Sequence, residues 1–211
     1  HGNQALLDMN DYENVKRNFR RGFLLFVKEK GKYIAGSIII IRKKTAYPVF
    51  MGILEDTVYL RHGVGAALYY FPFVWAMENG IKDINFGNTR TFLNSGDFQF
   101  KRKWKMTAKR SSIFFGIYGL MMNPNSKEKV LSFLENHPLI CTNGVELKGL
   151  IVTQQPLTYE KIDVLWKNYF TEGFSQLFIF SPYWYENTLN DTINLRYKNK
   201  LILINSIEKI N

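Results

Sequence analysis

The apolar and polar positions change rhythm several times along the 211 residues, and each change marks an element. Leu6, Leu7, Val15 and Phe19 are the apolar positions of the first stretch, where Asp8, Asp11 and Glu13 precede Lys16, Arg17, Arg20 and Arg21. Acid early and base late suits a helix dipole. A helix is therefore expected over residues 4–20, ended by Gly22. Phe23 to Val27 reads as a short strand and Lys30-Gly31-Lys32 as a tight turn. Tyr33 to Ile41 carries a β-branched run, Ile38 to Ile41, that fits a second strand. Arg42 to Thr45 turns again, and Ala46 to Ile53 makes a third strand. The pattern is an antiparallel meander.

The stretch from Ala46 to Trp104 organises the rest. Its centre, Gly63 to Gly87, reads GVGAALYYFPFVWAMENGIKDINFG. A turn at Gly63-Val64-Gly65-Ala66 is expected to open a helix through Glu78, stopped at Asn79-Gly80. The segment is apolar on nearly all faces, which predicts a helix laid on a sheet and largely covered. Pro72 lacks an N–H and predicts either a kink or a later start. Asp83 to Phe86 is a short strand closed by Gly87, expected beside the third strand and parallel to it. A glycine turn feeding a helix lets a ligand phosphate approach free backbone N–H groups. Its spacing is neither that of a dinucleotide fingerprint nor that of a P-loop.

Asp97 to Trp104 reads as a short helix or an irregular turn, and Met106 to Tyr118 as a strand. Asn123-Pro124-Asn125-Ser126 is the clearest break, giving expected domains of residues 1–122 and 123–211. Beyond it, Ser126 caps a helix through Glu135, and Asn143-Gly144 suits a type I′ hairpin turn before Val145 to Thr153. Thr158 to Phe170 reads as a helix, with strands at Leu177 to Phe180 and Leu201 to Ile204. The fold class expected is α/β with mixed α+β sheets.

Composition narrows the chemistry. The single Cys141 permits no intramolecular disulfide, and His1, His62 and His137 are too scattered for a zinc spacing. No metal is expected. No apolar run approaches the ~20 residues of a membrane span, and no signal peptide opens the chain, so a cytoplasmic location is expected. The net charge of +10 favours an anionic partner: nucleic acid, a phosphorylated cofactor or an acidic membrane surface. The basic residues cluster most densely from Lys101 to Arg110.

An antiparallel meander, a glycine turn, a buried helix, a strand ending in Phe86-Gly87, then Gly96 followed by Phe100-Lys101 and Trp104 resembles the acyltransferase fold of the GNAT superfamily. More closely, it resembles the FemAB-like branch, which includes peptidoglycan aminoacyltransferases. The resemblance covers roughly residues 20–118, and Ala35-Gly36 and Gly80 also carry it. It implies a GNAT-like lobe with a smaller carboxy-terminal α/β extension that could form part of a second lobe. It implies an acyl-CoA or an aminoacyl-tRNA as donor co-substrate, an amine as acceptor and no permanently bound cofactor. The donor's phosphates would meet Gly63, Val64, Gly65, Ala66 and Ala67, although Arg61 stands closer to the glycines than the usual basic residue does. Phe100 and Lys101 would lie where carbonyl and amine meet, with Asn88, Arg90, Asp97 and Trp104 on the substrate side. FemAB-like enzymes set two lobes face to face, and a homodimer is one source of the second.

Acyl transfer to an amine passes through a tetrahedral oxyanion, which a positioned ammonium such as Lys101 stabilises where water is excluded. The chain has no Ser-His-Asp or Cys-His set for a covalent acyl-enzyme, so direct attack is the simpler expectation. Two rivals remain: a non-catalytic scaffold of the same fold, and a nucleic-acid-binding module using Lys101 to Arg110 with Phe100 and Trp104 for phosphate contact and stacking.

Overall fold

The computed structural model describes residues 12–54, 57–110, 126–184, 193 and 195–205. The chain is mixed α and β, with two four-stranded mixed sheets among the described residues. It divides into two compact units, residues 1–87 and 88–211. The division falls well before residue 123, and the break expected at Asn123-Pro124-Asn125 lies outside the described residues.

In the first unit, helix α1 (Tyr12–Phe19) precedes strands β1 (Gly22–Glu29), β2 (Lys32–Arg42) and β3 (Thr45–Ile53). The rest of the helix expected from residue 4 lies outside the described residues. The β1–β2 turn needs two left-handed residues, and Lys30 and Gly31 supply them with φ of 46° and 82°. That conformation matches the twist of paired strands, so the meander forms as expected. A short helix α2 (Thr57–Arg61) leads to α3 (Val64–Glu78), and β4 (Asp83–Ile84) returns parallel to β3.

Helix α3 corrects the sequence reading at its start. It begins at Val64, so only Gly63 is in the turn, and it runs through Pro72 to Glu78 without a break. Val64, Leu68, Pro72 and Ala76 are its buried residues, four apart, and make one stripe toward the core. Burial of the Pro72 ring there offsets the single backbone bond that proline cannot make. The helix is less covered than its composition predicts: Tyr70, Phe71 and Met77 are exposed. Val64 and Leu68 pack with Val27, Ile34 and Ala35 to form the first core.

The second unit opens with α4 (Gly96–Lys103), followed by α5 (Lys127–Asn136), β5 (Leu139–Asn143), β6 (Glu146–Val152), α6 (Tyr159–Tyr169), β7 (Phe174–Phe180) and β8 (Leu201–Ile204). Strands β5 and β6 are antiparallel, while β6, β7 and β8 are parallel. The β5–β6 turn centres on Gly144-Val145, one residue later than Asn143-Gly144, because Asn143 pairs with Glu146. Gly144 alone takes positive φ there, 59°, which is the type II′ pattern with glycine first. Residues 106–110 are irregular rather than strand, and the remainder of that expected strand lies outside the described residues. Leu93, Phe98, Ile162, Leu177 and Ile179 belong to the larger core of this unit, between the sheet and α4 and α6.

The segment carrying Phe100 and Lys101 thus belongs with the second sheet. Leu93 N–H donates to Pro138 O at 2.8 Å and Ile140 N–H to Thr91 O at 2.7 Å, so residues 91–93 line the edge of β5. Phe98 on α4 is buried and stacks on Phe174 at 6.1 Å between centroids.

Candidate functional site

The residues singled out in the sequence fall into two groups, one in each unit. In the first unit, β3 and β4 pair only at Thr45 with Asp83 and Ala46 with Ile84. The last bond of that ladder runs from Asn85 N–H to Ala46 O, 2.8 Å. Beyond it the two chains part, and among the described residues β3 from Tyr47 to Ile53 has no strand neighbour on that side. A bulge opposite Ile38/Ile39, where the β3 partner passes from Phe50 to Pro48, adds local twist. Phe86 follows the short β4 and stacks on Tyr69 of α3 at 4.6 Å. That contact holds the exit of β4 against the helix.

Gly63 is the N-terminal cap of α3, with φ 85°, and its carbonyl accepts from Ala67 N–H at 3.0 Å. The amides of Val64, Gly65 and Ala66 come before the first residue that can bond back within the helix. A side chain added at Gly63 or Gly65 would meet nothing within 4 Å. Val64 spends its own side chain in the core, and Ala67 packs beside it. What this turn can offer a ligand is therefore backbone N–H and the positive helix end. No acidic residue stands in the first turn to compete.

In the second unit, α4 brings Asp97 and Lys101 one turn apart, and both hold the chain at residues 88–90. Lys101 Nζ donates to Asn88 O at 2.7 Å. Asp97 Oδ2 accepts from Thr89 Oγ1 at 2.9 Å and from Arg90 N–H at 3.1 Å. Asn88, Arg90, Asp97 and Lys101 thus lie together, with Asn88 and Arg90 joined through backbone groups: the Asn88 carbonyl to Lys101 and the Arg90 N–H to Asp97. Phe100 and Trp104 are half-buried neighbours with ring centroids 6.2 Å apart. Burial pulls the Lys101 ammonium below its usual pKa, and the Asp97 carboxylate partly restores it. For Asp97, burial alone would raise the pKa. The Ser95 hydroxyl beside it, the Arg90 and Phe98 N–H groups and the Thr89 hydroxyl outweigh burial and leave it below the usual value. Ser95 Oγ itself makes no well-formed hydrogen bond.

The sign of that shift gives a pH prediction. A carboxyl with a depressed folded pKa adds stability above its unfolded pKa, and the gain is lost as pH falls through the folded value. Stability of the second unit should thus fall below about pH 4, and Asp97→Asn should lose that contribution at pH 7, so that parent and variant converge as the pH falls and the variant's slope is flatter. Urea midpoints measured from pH 3 to 7 on both chains are the check. Identical pH slopes would show that Asp97 is not what the helix end depends on.

Several polar ties escaped the sequence reading. Thr89 is one. Gln99 Nε2 donates to Leu93 O at 2.6 Å and to Asn168 O at 3.1 Å, fastening α4 to α6. At the carboxyl ends of β6 and β7, Lys161 Nζ donates to Gln155 Oε1 at 2.7 Å and Thr153 Oγ1 at 3.2 Å, and Ser181 Oγ donates to Gln155 O at 3.1 Å. The Asn168 carbonyl lies 69 residues from Gln99, and the partners of Lys161 stand six and eight residues before it across a loop, so no helical or strand spacing announces them.

No protein-family model, curated protein or solved structure matches the chain. The functional reading stands on residues and geometry. Among the described residues there is no group of three or more His, Cys, Asp or Glu able to hold a metal, and no helix is long and apolar enough to cross a membrane.

Proposed function

We propose that the chain is an N-acyltransferase of GNAT, FemAB-like type, moving an acetyl or aminoacyl group from a CoA thioester or an aminoacyl-tRNA to an amine. One observation carries the reading: among the described residues β3 and β4 pair only at Thr45–Asp83 and Ala46–Ile84, in the unit where α3 opens at Gly63 with no side-chain cap bond. A parted parallel pair leaves backbone groups of β3 open to an extended ligand, and a helix start accepts its phosphates. The acceptor nitrogen attacks the carbonyl carbon directly. The C–N bond forms, the oxyanion collapses, the C–S or C–O bond breaks, and the proton lost by the amine goes to the departing sulfur or oxygen. In this reading Lys101 steadies the oxyanion, with Phe100 beside it, and Asn88, Arg90, Asp97 and Trp104 shape the acceptor side. Both donors are made inside the cell, so the reading carries a cytoplasmic location, and a second copy of the chain is the candidate source of the facing lobe.

The test is thermal unfolding with acetyl-CoA, CoA and unrelated nucleotides, on the parent chain, Ala66→Glu and Lys101→Ala. A donor at a hundredfold excess over its dissociation constant stabilises by about 2.7 kcal/mol. The parent midpoint should rise with CoA species and not with other nucleotides. Ala66→Glu should lose the rise, because a carboxylate in the first helical turn suits the helix but repels the donor phosphates. Lys101→Ala should keep the rise and lose acyl transfer. Absence of any rise, together with no retention of aminoacyl-tRNA at physiological salt, would remove the proposal.

A further inference from the structure

The second unit carries a surface groove of about 390 Å³ that has no part in the acyl-transfer reading. It lies between the end of α4 and the end of α6, and Arg102, Lys105, Lys167 and Glu172 line it with Trp166 and Phe170. Its floor is fixed by backbone. Ala108 N–H donates to Glu172 O at 2.8 Å, and Thr171 Oγ1 lies 3.4 Å from Met106 O. The aromatic wall is also fixed, because Trp166 and Phe170 stack with centroids 3.8 Å apart and planes 11° apart. Their faces are spent on one another, so the wall offers apolar bulk rather than a stacking platform.

The cations are arranged rather than merely present. Arg102 is half-buried, and its guanidinium is oriented by two bonds, Nε to Gln99 Oε1 at 3.1 Å and Nη1 to Lys167 O at 2.6 Å. The remaining three N–H groups of the fork are not used in these bonds. Arg102 makes no ion pair among the described residues. A charge drawn partly out of water without a counter-charge is costly, and an anion arriving beside it relieves that cost. Lys105, next to it, is held at φ 59°, a conformation that strains a residue with a side chain. Lys167 is shared with Asp163, and Lys200 stands over the Phe170 ring at 5.6 Å. Against these cations the groove itself sets one carboxylate, Glu172.

We propose that this groove binds a phosphate group, and that its ligand is the phosphodiester backbone of a single-stranded nucleic acid. Arginine's planar fork matches phosphate oxygens two at a time, which a lone lysine cannot do. Several cations along an open groove fit successive phosphates better than one small anion. A mononucleotide offers the same phosphate chemistry, so the experiment separates the two. The inference is independent of the acyltransferase reading.

The test uses the full chain and a fluorescein-labelled twelve-residue oligouridine, with AMP and inorganic phosphate as competitors, across a salt series. Arg102→Met should weaken oligouridine binding about tenfold. Lys105→Gly should weaken it several-fold while folding at least as well as the parent, because glycine relieves the positive φ. Each should lower the slope of log affinity against log salt by roughly 0.7 per lost phosphate contact. Glu172→Gln should tighten binding. Displacement of the oligouridine by AMP at comparable concentration would keep the phosphate site and identify a small ligand as its occupant. Failure of the parent to bind oligouridine, AMP or phosphate overturns the proposal, as does oligouridine affinity that is the same in the parent, Lys105→Gly and Glu172→Gln.

Discussion

Gly173→Ala is expected to cost the second unit about 3–5 kcal/mol, a large part of the stability of an ordinary domain. Two separate penalties meet at this position. Gly173 sits at φ 96°, where a residue with a side chain is strained. A Cβ built there would also lie 1.9 Å from Ala108 O and 2.8 Å from Ala108 C. Neither atom can swing away, because both are backbone and the adjacent Ala108 N–H is held by Glu172 O at 2.8 Å. The chain must open where residues 106–108 cross the start of β7, and Phe174, in the core, would be drawn with it. The control is Gly144→Ala, which has φ 59° but open space around its Cβ and should lose only the backbone share, about 1 kcal/mol. Urea unfolding followed by tryptophan emission reports mainly on this unit, which holds Trp104, Trp166 and Trp184. Equal losses for the two variants would mean that the crossing at Ala108 is not rigid.

Where the sequence reading succeeded, the information was local. The meander from Gly22 to Ile53 is specified by a turn that needs positive φ and by a β-branched run in β2, and both are visible in adjacent residues. Helix α6 starts where Thr158 accepts from Lys161 N–H at 3.3 Å, a cap readable from the sequence. Where the reading failed, a distant contact decided. Pro72 reads as a kink or a later start, but α3 begins at Val64 and continues through Pro72, whose ring joins the buried stripe. The run from Phe100 to Arg110 reads as a basic patch appended to the first lobe. Its helix instead belongs to the second unit, because Phe98 meets Phe174 and Gln99 meets the carbonyl of Asn168. The candidate site was legible to the same degree. Asp97, Lys101, Asn88 and Arg90 could be grouped because they lie within fourteen residues, whereas Arg102 and Trp166 become neighbours only through the packing of two helices.

The parallel β6–β7 pair makes the other large prediction, a double-mutant cycle on Gly149 and Leu177. These residues face each other in register, and a Cβ at Gly149 would lie 2.5 Å from Leu177 Cδ1. Leu177 is fully buried in the larger core, so the methyl occupies the space that Gly149 leaves. Leu177→Ala removes that filling and should cost about 3–5 kcal/mol through lost transfer energy and the cavity left behind. Gly149→Ala alone forces Leu177 and the nearby Phe174 ring, 3.2 Å from the new Cβ, to shift, and should cost about 1–3 kcal/mol. In the double variant the new methyl enters the space that Leu177 vacates. The overlap disappears and part of the cavity is filled, so the combined loss should fall short of the sum by about 1–3 kcal/mol. Packing between β6 and β7 thus predicts not only two losses but the sign of their coupling. A combined loss equal to the sum would show that Leu177 does not rest on Gly149, and that the space beside this glycine is closed by other side chains.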